Sequence, residues 1–185
     1  MAELRSEEEQ LEALKSWWKT NGRNLIVGVV LIIFLIVGWN YWQTQRQAEM
    51  VQASDYYQRL LGILQSTDGQ LEQEDIITVN QLATQLRADY GDTTYAIYAA
   101  LMMAQLAAQQ NQLSLALQQL QWVMDQKVDT QLLHVTRIRM ARVLTEAGEL
   151  DQALTLLNDP VGSNWEASRL QVKGDILLQK GDHAG

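Results

Sequence analysis

The sequence predicts an all-α chain with a single N-terminal transmembrane helix followed by a helical-repeat domain. Three features carry that reading. An uncharged apolar run occupies Leu25–Trp42. The rest of the chain is rich in Ala, Leu and Gln, contains one proline and has few β-branched runs, a composition that favours helix. Alanines also recur twelve residues apart across polar turns, as they do when one helix pair is repeated along a chain.

The apolar run is 18 residues long. As a helix it rises ~27 Å, close to the ~30 Å of a bilayer's hydrocarbon core. It is apolar on every face, whereas a helix packed on a soluble core keeps a polar side. Trp17 and Trp18 precede it, and Trp39, Tyr41 and Trp42 close it. Rings that are apolar with a polar edge favour the headgroup region, so these five are the expected membrane-interface residues. A cleaved signal peptide is a poor fit, because a long lead-in containing Glu7-Glu8-Glu9 comes first and bulky aromatics stand where small cleavage-site residues belong. The segment 25–42 therefore reads as a signal anchor. Lys15, Lys19 and Arg23 flank its start and only Arg46 its end, which favours a cytoplasmic N-terminus and a domain on the far side. Residues 1–24 form the cytoplasmic tail. Within it, Leu11, Leu14 and Trp18 at helical spacing, beside Lys15 and Lys19, predict a short interfacial helix over 7–23 on the lipid bilayer. Residues 1–6 read as a frayed acidic end.

Charge and cysteine content exclude several functions. The net charge of −8 resides in residues 47–185, which hold 9 basic and 17 acidic side chains. An acidic domain without a basic stripe repels phosphate backbones, so nucleic acid is not an expected partner. The absence of cysteine removes disulfides, thiolate metal sites, nucleophilic thiols and an acyl-cysteine anchor.

In the domain, 47–185, breaks at Ser66-Thr-Asp-Gly69, Gly91-Asp-Thr-Thr94, Gln109-Gln-Asn111, Asp125–Asp129, Ala147-Gly148 and Lys180-Gly-Asp182 predict helices of ordinary length. The first, about Ala48 to Leu64, continues the membrane helix. Ala104 pairs with Ala116, and Ala141 with Ala153, each across a turn, and Leu120 and Leu157 follow four residues later. Two helices that cross closely need small residues at the crossing and bulky ones beside it. That is the physical content of the tetratricopeptide pattern. Gly174, 33 residues beyond Ala141, opens a third copy with Leu177, and Ala83 marks an earlier, degenerate one. Position 4 of the motif, often Trp, is Ala100 and Arg137, and Asn158-Asp-Pro160 cuts one second helix short. The copy from Gly174 stops at Gly185, so the domain is expected to lack its last helix.

No enzyme signature is present, and no cofactor, metal or catalytic residue is expected. His134 and His183 lack the spacing of a metal pair, and His134 reads as a satisfied structural residue at the start of a repeat helix. There is no phosphate loop and no GxxxG in the membrane run. The acids Glu72, Glu74, Asp75, Asp89 and Asp92 fall at helix ends, where they are expected to cap and to favour the helix dipole. Function in such a domain lies on the concave face of the first helices. There the motif places Tyr98, Leu101 and Gln105, then Val135, Ile138 and Arg142, then Gln171 and Asp175. Leu101 could equally serve packing. One guanidinium is too few to clamp a chain-terminal carboxylate, so this face is expected to recognise a folded partner surface or an apolar segment.

The string Glu9-Gln-Leu-Glu-Ala-Leu-Lys-Ser-Trp-Trp-Lys-Thr-Asn-Gly-Arg23, with Gly28 and Gly38-Trp-Asn-Tyr-Trp42, resembles the YfgM family of ancillary SecYEG translocon subunits. Arg169-Leu-Gln-Val-Lys-Gly-Asp-Ile-Leu-Leu-Gln-Lys-Gly-Asp182 is similar to that family's C-terminal repeat. The resemblance implies a bacterial inner-membrane protein with a periplasmic repeat domain. It also implies association with the SecYEG translocon and the periplasmic chaperone PpiD, and a role in handing emerging secretory proteins to chaperones. The alternative from the residues alone is a membrane-tethered tetratricopeptide factor for envelope assembly or cell division, without translocon contact.

Overall fold

A computed structural model describes residues 2–66, 71–159 and 162–181. Among these, seven helices and no strands are found, in two compact units, residues 1–49 and 50–185. Helix α1 (Ala2–Ser66) supplies all of the first unit and the opening helix of the second.

In the first unit every apolar side chain from Leu25 to Trp42 is exposed, Phe34 and Leu35 by 72% and 73%. Nothing in the unit covers them, which in water would be a heavy hydrophobic penalty. The helix is long and apolar enough to cross a membrane. Two expectations are corrected here. Helix begins at Ala2 rather than after a frayed end, in keeping with the good helix formers Leu, Glu and Gln that dominate residues 2–12. The segment 7–23 is not a separate short helix but the first part of α1. Gly22 does not break it, and the Trp18 indole lies over this glycine; a Cβ there would stand 3.2 Å from the Trp18 ring atoms Cδ2 and Cε2. The side chains of Glu7, Glu8 and Glu9 lie outside the described residues.

The second unit continues with α2 (Gln73–Asp89), α3 (Thr94–Gln109), α4 (Leu113–Met124), α5 (Thr130–Glu146), α6 (Leu150–Leu156) and α7 (Ser163–Gln179). The expected breaks from Gly91 to Gly148 fall at the junctions between helices, and Lys180 and Gly181 follow the end of α7; Thr67–Gly69, Pro160 and Asp182 lie outside the described residues. Thr93 caps α3 by accepting from the Ala96 amide (3.3 Å), and Asp129 caps α5 by accepting from Leu132 (2.8 Å). Asp75 Oδ2 accepts from the Glu72 amide at the start of α2 (3.3 Å). Asp89 departs from the expectation for the acids: it ends α2, where a carboxylate opposes the helix dipole.

Repetition is written into the backbone as well as the side chains. The non-glycine and glycine residues with positive φ among the described residues are Asn111 (57°), Gly148 (79°) and Gly181 (78°). Each lies seven residues after the small residue of its copy, Ala104, Ala141 or Gly174. Left-handed backbone there ends the first helix of each copy, and in the first two copies the chain then enters α4 and α6. In the first two copies the closing bonds match, Gln112 N to Ala107 O (2.8 Å) and Glu149 N to Leu144 O (2.9 Å). Ala104, Ala116 and Leu120 are at most 3% exposed, and Ala141, Ala153 and Leu157 are fully buried. The helix pairs therefore pack where the spacing of the sequence says they should.

Three apolar clusters form the core. Ala53 and Leu60 of α1 meet Val79, Leu86, Ala96 and Met103. Leu101 and Ala104 meet Ala116, Leu120 and Val123 of α4 and Val143 of α5. Ile138, Ala141 and Leu144 meet Ala153, Leu157, Val172 and Ile176. Trp122 packs against the first two clusters, and Leu117 and Met140 against the last two. Helix α6 is only seven residues long, and Arg169 of α7 compensates its short end. Its Nη1 donates to the Leu157 carbonyl (2.8 Å) and its Nε to Glu166 (2.9 Å), placing a cation at a helix C-terminus.

Candidate partner-binding site

Helices α3 and α5 are the first members of consecutive pairs. The stripe Leu101, Gln105 and Ala108 of α3 repeats at helical spacing, as does Arg139, Arg142 and Val143 of α5. Between these stripes lies a pocket of about 230 Å³, with Ala104 and Leu120 also in its lining. Small Ala104 and Ala108 leave the space; Leu120 of α4 gives it an apolar wall. The polar groups are Gln105 and two guanidiniums, so the lining offers hydrogen-bond donors and charge but neither a nucleophile nor a general base.

Of the eight residues expected on the concave face, the structure brings Leu101, Gln105 and Arg142 together. Leu101 is only 6% exposed, so it acts as wall and core at once. Ile138 is a correction: it is buried in the third cluster against α6 and α7, because its turn of α5 faces its own repeat partner rather than the groove. Tyr98 is exposed, but its ring stands 6.4 Å from that of Tyr57 on α1, away from the pocket. Val135 is half-buried, and Gln171 and Asp175 are exposed on α7; none of the three lines this pocket. Arg139, exposed on the pocket rim, was missed, although its position three residues before Arg142 puts it on the same helix face.

His134 is buried on α5 but is not satisfied, since its Nδ1 has no hydrogen-bond partner among the described residues. His183 lies outside them. Arg137, at motif position 4, is tied to Asp159 at 3.3 Å. Tyr57 sits beside Tyr95 and Tyr98, and burial, then the neighbouring Tyr98, pushes its phenol above the ordinary tyrosine range. In the first unit Trp17, Trp18, Trp39, Tyr41 and Trp42 are all about half exposed or more, with Trp39 and Trp42 in ring contact at 5.4 Å and the Arg46 guanidinium 5.0 Å above Trp42.

The tetratricopeptide repeat-like domain family model matches residues 15–185. An ancillary SecYEG translocon subunit of Haemophilus influenzae is 33% identical over 182 residues, covering 98% of this chain and 85% of that protein. A protein of the same description from Escherichia coli K12 is 31% identical over 180 residues, covering 97% and 83%. The chain belongs to the ancillary SecYEG translocon subunit family. Another relative of that description, from Neisseria gonorrhoeae, is 24% identical over 95% of this chain and 81% of its own length. No solved structure matches the chain. In this translocon-subunit family the likeness takes in the apolar part of α1 as well as the repeats, and the chain is a membrane-anchored protein with a tetratricopeptide-like domain.

Proposed function

We propose that this protein is a bacterial inner-membrane adaptor associated with the Sec translocon, which links emerging secretory proteins to periplasmic chaperones of the PpiD kind. The observation that carries the proposal is the likeness to ancillary SecYEG translocon subunits across anchor and repeats together. In this reading α1 crosses the bilayer with its N-terminus in the cytoplasm and the repeat domain in the periplasm. Trp18 and Trp39 are 21 residues apart, ~32 Å of helix, so the two aromatic groups suit opposite headgroup layers. The groove between α3 and α5 supplies a surface for a partner segment.

Crosslinking in native membranes tests the association. Photoreactive residues in α1 and on the rim of the α3–α5 pocket should recover SecY and PpiD respectively; recovery of neither at native expression removes the proposal and returns the assembly-factor alternative. Orientation has a separate test, made clean by the absence of cysteine. In cells with a permeabilised outer membrane, an impermeant maleimide should label Asn111→Cys but reach Glu12→Cys only after lysis. The reverse pattern refutes the orientation.

A further inference from the structure

The arginines from α2 onward divide into two groups. Arg87 donates to Gln119 (3.2 Å) and lies 5.8 Å from the Trp122 ring centre, Arg137 pairs with Asp159, and Arg169 holds Glu166 and the end of α6. Arg139 and Arg142 are exposed and make no ion pair with any described residue. Both stand on the rim of the pocket between α3 and α5. They are three residues apart on one helix, close enough to act on the same ligand group or on adjacent ones. The domain around them is strongly acidic, so two uncompensated cations beside an apolar hole are a local reversal of charge.

We propose that this pocket docks an acidic amphipathic helix of a partner protein, which inserts one large aliphatic side chain between Leu101, Ala108 and Leu120 and sets carboxylates against Arg139 and Arg142. The inference rests on reading the repeat domain as a docking platform and adds the chemistry of the docked segment. Two features select a helix. The walls are stripes on two helices with Leu120 of α4 between them, and an apolar hole flanked by helical stripes suits a helix that presents an i, i+3, i+4 face. The lining lacks the several converging donors that a chain-terminal carboxylate needs, since only Gln105 supplements the guanidiniums. Carboxylate–guanidinium pairs at the rim of an apolar contact give register and a fast, salt-sensitive approach. The domain carries more acids than bases overall, so its net charge disfavours an acidic helix at large and the arginine pair offers it a local attraction at this groove.

The test uses the full chain in mild detergent and fluorescein-labelled helical peptides of roughly 15 residues, a length at which a helix can form. All but one are amidated. The reference peptide carries a leucine with glutamates one turn before and after it; others replace the glutamates by glutamine or the leucine by serine, and one is unstructured with a free C-terminal leucine. Anisotropy should rank the reference peptide at least about tenfold tighter than each amidated variant, the size expected for losing a charge-assisted contact or a buried aliphatic group. Arg139→Gln with Arg142→Gln should abolish the preference for glutamate over glutamine, whereas Arg59→Gln with Lys127→Gln, an equal charge change at exposed positions elsewhere, should leave it intact. Ala108→Leu should weaken all leucine peptides by filling the hole. Equal binding of the glutamate and glutamine peptides, binding confined to the free C-terminus, or no binding up to about 1 mM each overturns the proposal. SecY crosslinking through α1 reads the translocon association independently, so the two failures are distinguishable.

Discussion

Leu120 and Leu157 stand sixteen residues after Ala104 and Ala141 and fill the same gap in successive helix pairs. Neither can move far without opening a void, because the alanines opposite provide no bulk to collapse into it. Leu120→Ala should therefore cost about 2–5 kcal/mol in urea unfolding of the domain, with its helical content retained in the native baseline. The Glu166–Arg169 pair gives a pH-dependent counterpart. The hydrogen bond from Arg169 holds the Glu166 carboxyl below the ordinary carboxylate range. A depressed carboxyl stabilises the fold above its unfolded pKa, and that gain is lost as pH falls through the folded one. The melting temperature of Glu166→Gln should thus lie below that of the parent at neutral pH, with the gap closing as pH falls below the ordinary carboxylate range. A gap that persists in acid would show that the pair acts by packing instead. At this scale the sequence was informative for the small and bulky core positions, whose spacing is imposed by helix crossing. It was less so for Arg139 and Ile138: a motif register marks a face only to within one helical position, and that is the distance between a rim and a core.

Turns show the repeat most directly at the scale of elements. Left-handed backbone at Asn111, Gly148 and Gly181 ends three successive first helices, and the cost of that conformation depends on the side chain. Gly148→Ala should destabilise the domain by about 1–2 kcal/mol, read from its thermal melt. A change under a few tenths would mean that the turn relaxes and that its geometry is not needed for stacking. The helix breaks were legible because Gly, Asp, Asn and Thr cluster where caps and turns require them. The continuity of α1 through Gly22 was not, because a glycine weakens a helix without necessarily ending it. Likewise the brevity of α6 was visible in Asn158-Asp-Pro160, whereas its stabilisation by Arg169 twelve residues away from Leu157 required the structure.

At the scale of the whole molecule, two units place opposite demands on their surroundings. The apolar surface of α1 needs lipid, and Ile33 is in the middle of the run that provides it. Ile33→Arg should release the chain from membranes in carbonate extraction, since an arginine at a helix centre costs about 2.5–3.5 kcal/mol on insertion. Retention of most of the protein would argue that another segment anchors it. The repeat unit, in contrast, is held by three small cores; among the described residues Trp122 packs against the first two, and Leu117 and Met140 against the last two. These shared side chains behave as articulations between vertebrae: each transmits position, but little of the cohesion of one core passes to the next but one. Amide hydrogen exchange should accordingly show Leu157→Ala loosening α5 to α7 while α2 keeps its protection. Injury in this domain is compartmental, and a protease that gains entry at one end meets two intact cores before it reaches the other.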